Sequence, residues 1–378
     1  MEKFKLLIIG NANHQYITIF VKWLRKVFPN ISISIISTNI NIDLIALKNF
    51  YEEVYIIPDN NKFMSNIKGI RTIVKGWEIY KLLLIKKLNP NTILVHYATP
   101  YLAFFGSLLR RKTKNYIISL WGSDFYRATP KFYLDLNLKN ADKIIISSPQ
   151  MIKDFNSRYS KYIDKVNLCY FGNEVIKYID NIKSKEESFY RLNLNMDKLN
   201  VTIGYNGSKA HQHIQVINTL SKLDKKISDK IRLLFPLTYS LNDEYLIEIK
   251  KACNNLNIEQ IYFTEFMSEI DIAHLRKATD IMINVQITDA FNGSMKEVLY
   301  CGGIVINGSW LPYQFLKDTD IYFEEVDSVE QISDKLEKII MNYSYYQEQC
   351  KNNAVKIYEF SNWSKLIHQW KEVIKQQR

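Results

Sequence analysis

Two carboxylates, Asp289 and Glu297, stand eight positions apart in the stretch VQITDAFNGSMKEVLYCGG, around a loop of small residues and ahead of the glycine pair Gly302 and Gly303. IMINVQ reads as a strand, ITDAFNGS as the loop after it, and MKEVLYCGG as a helix that stops at glycine. The main-chain amides of Ala290, Phe291, Asn292, Gly293 and Ser294 then point along a nascent helix axis. There the unsatisfied N–H groups and the positive end of the dipole attract phosphate. Glu297, in the first turn, is placed to accept hydrogen bonds from vicinal hydroxyls such as those of a ribose, and Asp289 from the hydroxyls of a second ring. Such a strip suits a sugar nucleotide. The same two positions also suit a helix cap at Asp289 and a first-turn acid at Glu297.

A second loop, GYNGSKAHQH, follows one predicted strand and precedes a helix. Asn206, Gly207 and Ser208 can bring backbone close to phosphate there, with Lys209 or His213 to neutralise its charge. In the first half of the chain, His96 ends the strand of TILVHYATP, Asp124 follows Gly122 in SLWGSDFY, and His14 lies in the first loop, GNANHQY. Each is a candidate to take or orient a proton of an acceptor hydroxyl, which needs hydrogen-bond reach and a suitable pKa. No G-x-G-x-x-G and no G-K-[ST] is present, so the standard dinucleotide and P-loop readings fall away. Asp318 and Asp320 form a DTD in a polar turn, and the four cysteines make no C-x-x-C pair. No metal site is expected.

The elements that must position these residues alternate. KLLIIG, SISII, VYIIP, TILVHY, NYIISLWG and KIIISS read as buried strands separated by helical spacing, and NVTIGYNG, IRLLFPL, IYFTEF, IMINVQ and GIVING repeat the pattern after residue 198. This predicts an α/β chain of two Rossmann-like, doubly wound domains, with ligands at the carboxyl ends of the strands and a cleft between the halves. The boundaries expected are 1–175, a polar linker at 176–197, and 198–359. A terminal amphipathic helix over 360–378 carries Phe360, Trp363, Ile367 and Trp370 at helical spacing. Charge is divided unevenly: residues 1–175 hold 25 Lys+Arg against 12 Asp+Glu, and 176–378 hold 25 against 27. The basic half predicts an anionic neighbour, with solubility as the plain alternative. KGIRTIVKGWEIYKLLLIKKLNP (68–90) predicts an interfacial helix, with Ile70, Ile73, Val74, Trp77 and Tyr80 on one stripe and lysines elsewhere. The absence of an apolar run of 18 residues and of a signal-type core predicts a cytoplasmic chain, peripheral at the inner face of the cell membrane if that helix docks.

DAFNGSMKEVLYCGGIVI resembles the E-x7-E segment of GT-B glycosyltransferases, family 4 above all, with Asp289 in place of the first Glu. ILVHYATPYLAFFGSLL, YIISLWGSD, ADKIIISSPQMIKDF and YFGNEV resemble successive parts of that family's first domain and hinge. The resemblance implies a GT-B fold and transfer of a sugar from a nucleotide donor, UDP first and GDP or TDP as alternatives, with no cofactor. It implies a base held by the stretch IYFTEFMSEIDIAHLRKATDIMI with Phe266 and Met267, and a terminal helix that crosses back onto the first domain. Pro236 and Tyr239 complete the expected nucleoside set. GYNGSKAHQHI and FPLTYSLNDEYLIEI look similar to family 56 transferases, which add 4-acetamido-4,6-dideoxygalactose to a lipid-linked oligosaccharide. Family 4 implies retention and family 56 inversion. The function expected is glycosyl transfer to a lipid-linked or glycan acceptor in bacterial cell-surface polysaccharide assembly. A non-catalytic partner subunit and a hydrolysing nucleotide-sugar epimerase are the rivals. No nucleic-acid partner is expected, since the aromatics follow no RNA-binding pattern.

Overall fold

The computed structural model describes residues 3–57, 70–289 and 291–376. The chain divides into two units, Met1–Gly172 with Trp363–Arg378, and Asn173–Asn362. Unit 1 holds a seven-stranded parallel sheet: β1 (Phe4–Gly10), β2 (Ile31–Ser37), β3 (Glu53–Ile56), β4 (Thr92–His96), β5 (Asn115–Ser119), β6 (Lys143–Ile146) and β7 (Val166–Leu168), in the order β3-β2-β1-β4-β5-β6-β7. Unit 2 holds six parallel strands: β8 (Leu199–Ile203), β9 (Ile231–Pro236), β10 (Glu259–Phe263), β11 (Ile281–Asn284), β12 (Ile304–Gly308) and β13 (Glu324–Val326), in the order β10-β9-β8-β11-β12-β13. Each order reverses beside its first strand, the arrangement that gathers loops at the carboxyl edge.

The central strands are apolar on both faces because helices cover both faces. One side of the first sheet packs Leu7, Ile9, Val95 and Ile118 against Ile79, Leu83, Leu102, Leu134 and Phe155. The other packs Leu6, Ile8 and Ile33 against Ile17, Phe20, Leu24 and Trp370. All eleven predicted strands are present. β7 and β13 were not expected, since VNL and EEV are three-residue edge strands, half covered and too short to show a pattern.

The boundaries differ from expectation in one place. Residues 176–197 are no linker: the helices Val175–Asp180 and Lys185–Arg191 pack on the helix Glu269–Ala278 within unit 2. Ile176, Ile179 and Phe189 are buried, Ser188 Oγ meets His274 Nδ1 at 3.0 Å, and Lys185 pairs with Asp280. The segment looked like a linker because its apolar residues are few and set among lysines and glutamates. The passages between units fall at Gly172/Asn173 and Asn362/Trp363.

The last helix, Trp363–Lys375, belongs to unit 1. Trp363, Leu366, Ile367, Trp370 and Ile374 form its buried face, whereas Phe360 packs in unit 2 beside Phe315. Trp370 donates its indole N–H to the Tyr170 carbonyl at 2.9 Å and lies against Phe20 and Phe171, with centroids 4.9 and 4.8 Å away. A Cβ on Gly172 would stand 2.3 Å from the Trp363 ring, so only glycine lets the chain pass there. The carbonyls at the helix end are taken by the amino-terminal ends of three strands. Thr92 Oγ1 donates to Ile374 at 2.8 Å, Asn115 Nδ2 to Gln376 at 3.1 Å and Lys143 Nζ to Val373 at 3.0 Å. They satisfy groups a helix cannot satisfy itself. Trp370→Ala is expected to destabilise unit 1 by about 3–5 kcal/mol, seen as a lowered urea midpoint for that unit.

Candidate active site

In unit 2 the loops after β8, β9 and β11 meet at the carboxyl edge of the sheet. Gln212 Nε2 donates to the Val285 carbonyl at 2.5 Å, Ile287 N to Ala210 at 2.9 Å, and Gly207 N to Tyr239 at 2.8 Å. The helix after β11 runs Gly293–Tyr300, and its cap is Asn292, whose side chain accepts from Met295 N at 2.6 Å. Asp289 holds the loop. Its Oδ2 receives hydrogen bonds from Gln286, Asn292 and Tyr313. Asn292 N donates to the Tyr313 hydroxyl at 3.1 Å, so part of the expected amide row is already engaged. Phe291 has φ 101°, a left-handed conformation unusual for a bulky residue, and its ring packs on Phe315 at 5.0 Å. Ala290 lies outside the described residues.

Glu297 is buried, and both its oxygens have partners: Asn173 Nδ2 reaches Oε1 at 2.8 Å and Arg276 Nε reaches Oε2 at 2.8 Å. Arg276 also donates from Nη2 to Ser294 Oγ at 2.7 Å, while its buried Nη1 meets no partner among the described residues. The carboxylate expected to accept from ribose hydroxyls is thus already held by two donors, and a hydroxyl must share an oxygen with one of them or displace it. Lys296 is buried beside it, with Nζ 4.4 Å from the centre of the Phe291 ring. Burial pushes the Lys296 ammonium down to about 8, while Glu297 and Asp289 act to keep it charged.

The other expected phosphate ligands are placed differently. Lys209 is exposed, pairs with Glu248 at 3.2 Å and lies over Tyr245, so its charge is drawn to a neighbouring helix. His213 is buried with Nδ1 3.2 Å from the Tyr245 hydroxyl, and burial holds it down to about 4, which leaves it neutral near pH 7 and no counter-charge. A Cβ on Gly207 would meet Leu241 Cβ at 2.5 Å, so packing dictates this glycine. Asn206 Oδ1 and Ser208 Oγ accept from Ser208 N and Ala210 N and shape the turn.

Of the nucleoside set, Tyr239 hydrogen-bonds Asn206 and feels the charges of Arg276, Glu297 and Asp289. Pro236 ends β9 opposite Phe263; Phe266 is exposed and Met267 is packed beside Phe189. Arg276 and Lys296 are the two groups sequence reasoning passed over. Lys296 stood in the quoted motif, but its neighbour Glu297 took the attention; Arg276 sits in a helix with no signal of its own.

In unit 1, His14, His96 and Asp124 converge on Trp121. His14 caps the helix Gln15–Val27, accepting from Tyr16 N at 3.3 Å, and its ring stands 4.7 Å from Trp121. Burial lowers its pKa. His96 is buried, accepts from Trp121 Nε1 at 3.3 Å, and its Nε2 has no partner among the described residues; burial and then His14 push it down to about 3. Asp124 is wholly buried and accepts from the amides of Ala98, Trp121 and Phe125 at 2.8, 2.9 and 3.0 Å. Burial raises it to about 6 against those bonds. Its geometry is that of a loop staple, with Gly122 at φ 95° making the turn. Among the described residues no group of three His, Cys, Asp or Glu could hold a metal.

These buried charges carry two expected outcomes. Arg276→Leu strands a buried carboxylate and is expected to cost about 3–5 kcal/mol in chemical denaturation, with much of that loss removed in Arg276→Leu/Glu297→Leu. In unit 2, burial pushes His211 down to about 3 and His213 to about 4. The unfolded chain protonates both below about pH 6.5, whereas the folded chain does so only near those lower values. Stability is therefore whole above pH 6.5 and falls on acidification by about 1.4 kcal/mol per pH unit for each histidine. In unit 1 the raised Asp124 acts oppositely to His96. Calorimetry from pH 7 to 4.5 should show the unit 2 transition falling first.

Residues 5–148 match the family model described as Glycosyl transferase 4-like. No curated protein matches the chain. Among solved structures, sucrose-phosphate synthase of Thermosynechococcus elongatus aligns at 14% identity over 98% of both chains with TM-score 0.74. A glycosyltransferase of Rickettsia africae ESF-5 aligns at 15% over the whole of both chains with TM-score 0.73. Anabaena HepE, solved in complex with UDP and glucose, aligns at 11% over 98% of both chains with TM-score 0.73. The chain thus has the GT-B fold of these glycosyltransferases along its length, and within it residues 5–148 match the model described as Glycosyl transferase 4-like.

Proposed function

We propose that the protein transfers a sugar from UDP-sugar to a lipid-linked or glycan acceptor, as in the assembly of a cell-surface polysaccharide. The observation that carries this reading is the cluster of Arg276, Lys296, Glu297 and Asp289 at the carboxyl edge of the second sheet. It sets two buried cations beside two carboxylates, and one guanidinium nitrogen lacks a partner among the described residues. A buried N–H of this kind costs free energy until a ligand oxygen takes it. HepE, of the same fold, holds UDP.

In this reading the diphosphate lies against Lys296 and Arg276, and the ribose hydroxyls take the place of Asn173 on Glu297. Asp289, fixed by Tyr313, Gln286 and Asn292, faces the donor sugar. The two cations stabilise the negative charge that grows on the leaving diphosphate, the type of electrostatic aid that usually outweighs any single proton transfer. His14 is the acceptor-side group: burial lowers its pKa and Nδ1 accepts from Tyr16 N, so the neutral ring carries its proton on Nε2 and can orient the acceptor by donating a hydrogen bond to it. Phosphate contact favours the charged form of Lys296, so affinity for UDP declines as pH rises past about 8 and Lys296 loses its proton.

The test is calorimetric titration of UDP, with GDP, TDP, ADP and CMP beside it. UDP at about 100 times its Kd should stabilise the protein by roughly 2.7 kcal/mol. Lys296→Met should weaken UDP at least tenfold and flatten its pH dependence while the protein stays folded. Equal UDP affinity in wild type and Lys296→Met would remove the reading. Incubation with UDP-sugar alone should release little UDP; rapid hydrolysis or an epimer would point to the epimerase alternative.

A further inference from the structure

We infer that the outer face of one helical layer of unit 1 docks on an anionic lipid bilayer. The helix Ile70–Ile85 meets its own core along Gly76, Ile79 and Leu83. A Cβ on Gly76 would stand 2.2 Å from the Tyr101 carbonyl oxygen, so this edge is fixed against the segment Pro100–Ala103. The apolar stripe read from the sequence therefore turns partly outward. Ile73 is 49% exposed and Trp77 46%, and they are joined by Phe104 at 45% and Phe132 at 63%. Trp77 touches Phe105 with centroids 6.3 Å apart, and Phe104 touches Phe132 at 6.3 Å and Tyr133 at 5.8 Å. Single exposed apolar residues are ordinary, but four of them on neighbouring helices, one pair in ring contact, mark a contact surface.

Charge identifies the occupant. Unit 1 carries 29 Lys+Arg against 12 Asp+Glu, and unit 2 carries 21 against 27. Lys81 on that helix, Lys86 and Lys87 in the turn after it, and Lys131 at the start of the helix Lys131–Asn140 that carries Phe132 are exposed. The acids facing them are Glu78, which pairs with Lys81 at 3.7 Å, and Asp135, which pairs with Lys161 at 2.8 Å. Trp and Phe beside lysines suit the headgroup boundary, where rings enter and ammonium groups meet lipid phosphates. Among the described residues no helix is long and apolar enough to cross a membrane, so the contact lies on the surface. This deepens the function proposed above, because a lipid-linked acceptor resides in such a bilayer.

The full chain should float with phosphatidylcholine vesicles containing about one-third phosphatidylglycerol, and bind pure phosphatidylcholine at least tenfold less, as the loss of roughly fivefold per neutralised lysine contact requires. Trp77→Ser/Phe132→Ser should lose at least tenfold in binding to the anionic vesicles, with the UDP-induced thermal shift unchanged. Failure of the wild type to bind anionic vesicles overturns the inference. So does equal binding by the double variant, or a change in its oligomeric state with vesicle binding intact, which would make the surface an interface between copies. Vesicle binding without any UDP-induced shift would sink the proposed function and leave this surface standing.

Discussion

A buried carboxylate must be given donors, and in this protein the second unit is organised around that demand at Glu297. Arg276 and Asn173 supply them, and through these bonds three separate pieces of chain are tied: the first residue of the unit, the helix Glu269–Ala278 and the helix Gly293–Tyr300. A buried pair of this kind contributes little net stability compared with an apolar substitute. It does fix geometry, since neither partner can move without leaving the other unsatisfied. The same constraint holds Asp289, whose carboxylate gathers Gln286, Asn292 and Tyr313 into one arrangement.

Polar groups below the loop extend this rigidity into the sheet. Asn284 on β11 donates to Asn307 on β12 at 2.8 Å, and Asn292 reaches Asn284 at 3.4 Å. Asparagine at the end of a buried strand is costly unless satisfied; here the two strands satisfy one another and carry the loop. The first unit solves a parallel problem with Asp124, which collects three amides after β4 and β5 and thereby sets Trp121 between His14 and His96. Both units gather loops at strand ends, and in both an acid shapes the loop.

How much of this could be read beforehand depended on periodicity and length. The eleven longer strands were legible because short runs of Ile, Leu and Val between helical segments suit buried parallel strands and little else. β7 and β13 were not, since three residues at a sheet edge carry no period. The segment 176–197 misled because charge outweighed Ile176, Ile179 and Phe189 in the count, although those three supply the buried face. Glu297 and Asp289 were found as a pair, but their partners were out of reach: Arg276 lies 21 positions from Glu297 and Asn173 lies 124 away.

The sequence by itself determined two doubly wound units, the strands whose carboxyl ends face the site, the loop of Asp289 and Glu297, and a basic first half. Those features depend on local pattern and composition, which a linear chain displays. Only tertiary structure decided which cation meets which acid: that Lys209 turns to Glu248, that Lys296 and Arg276 enter the site, and that His213 is buried and neutral. Ion pairing and desolvation depend on distances across the fold, and sequence spacing carries no record of them.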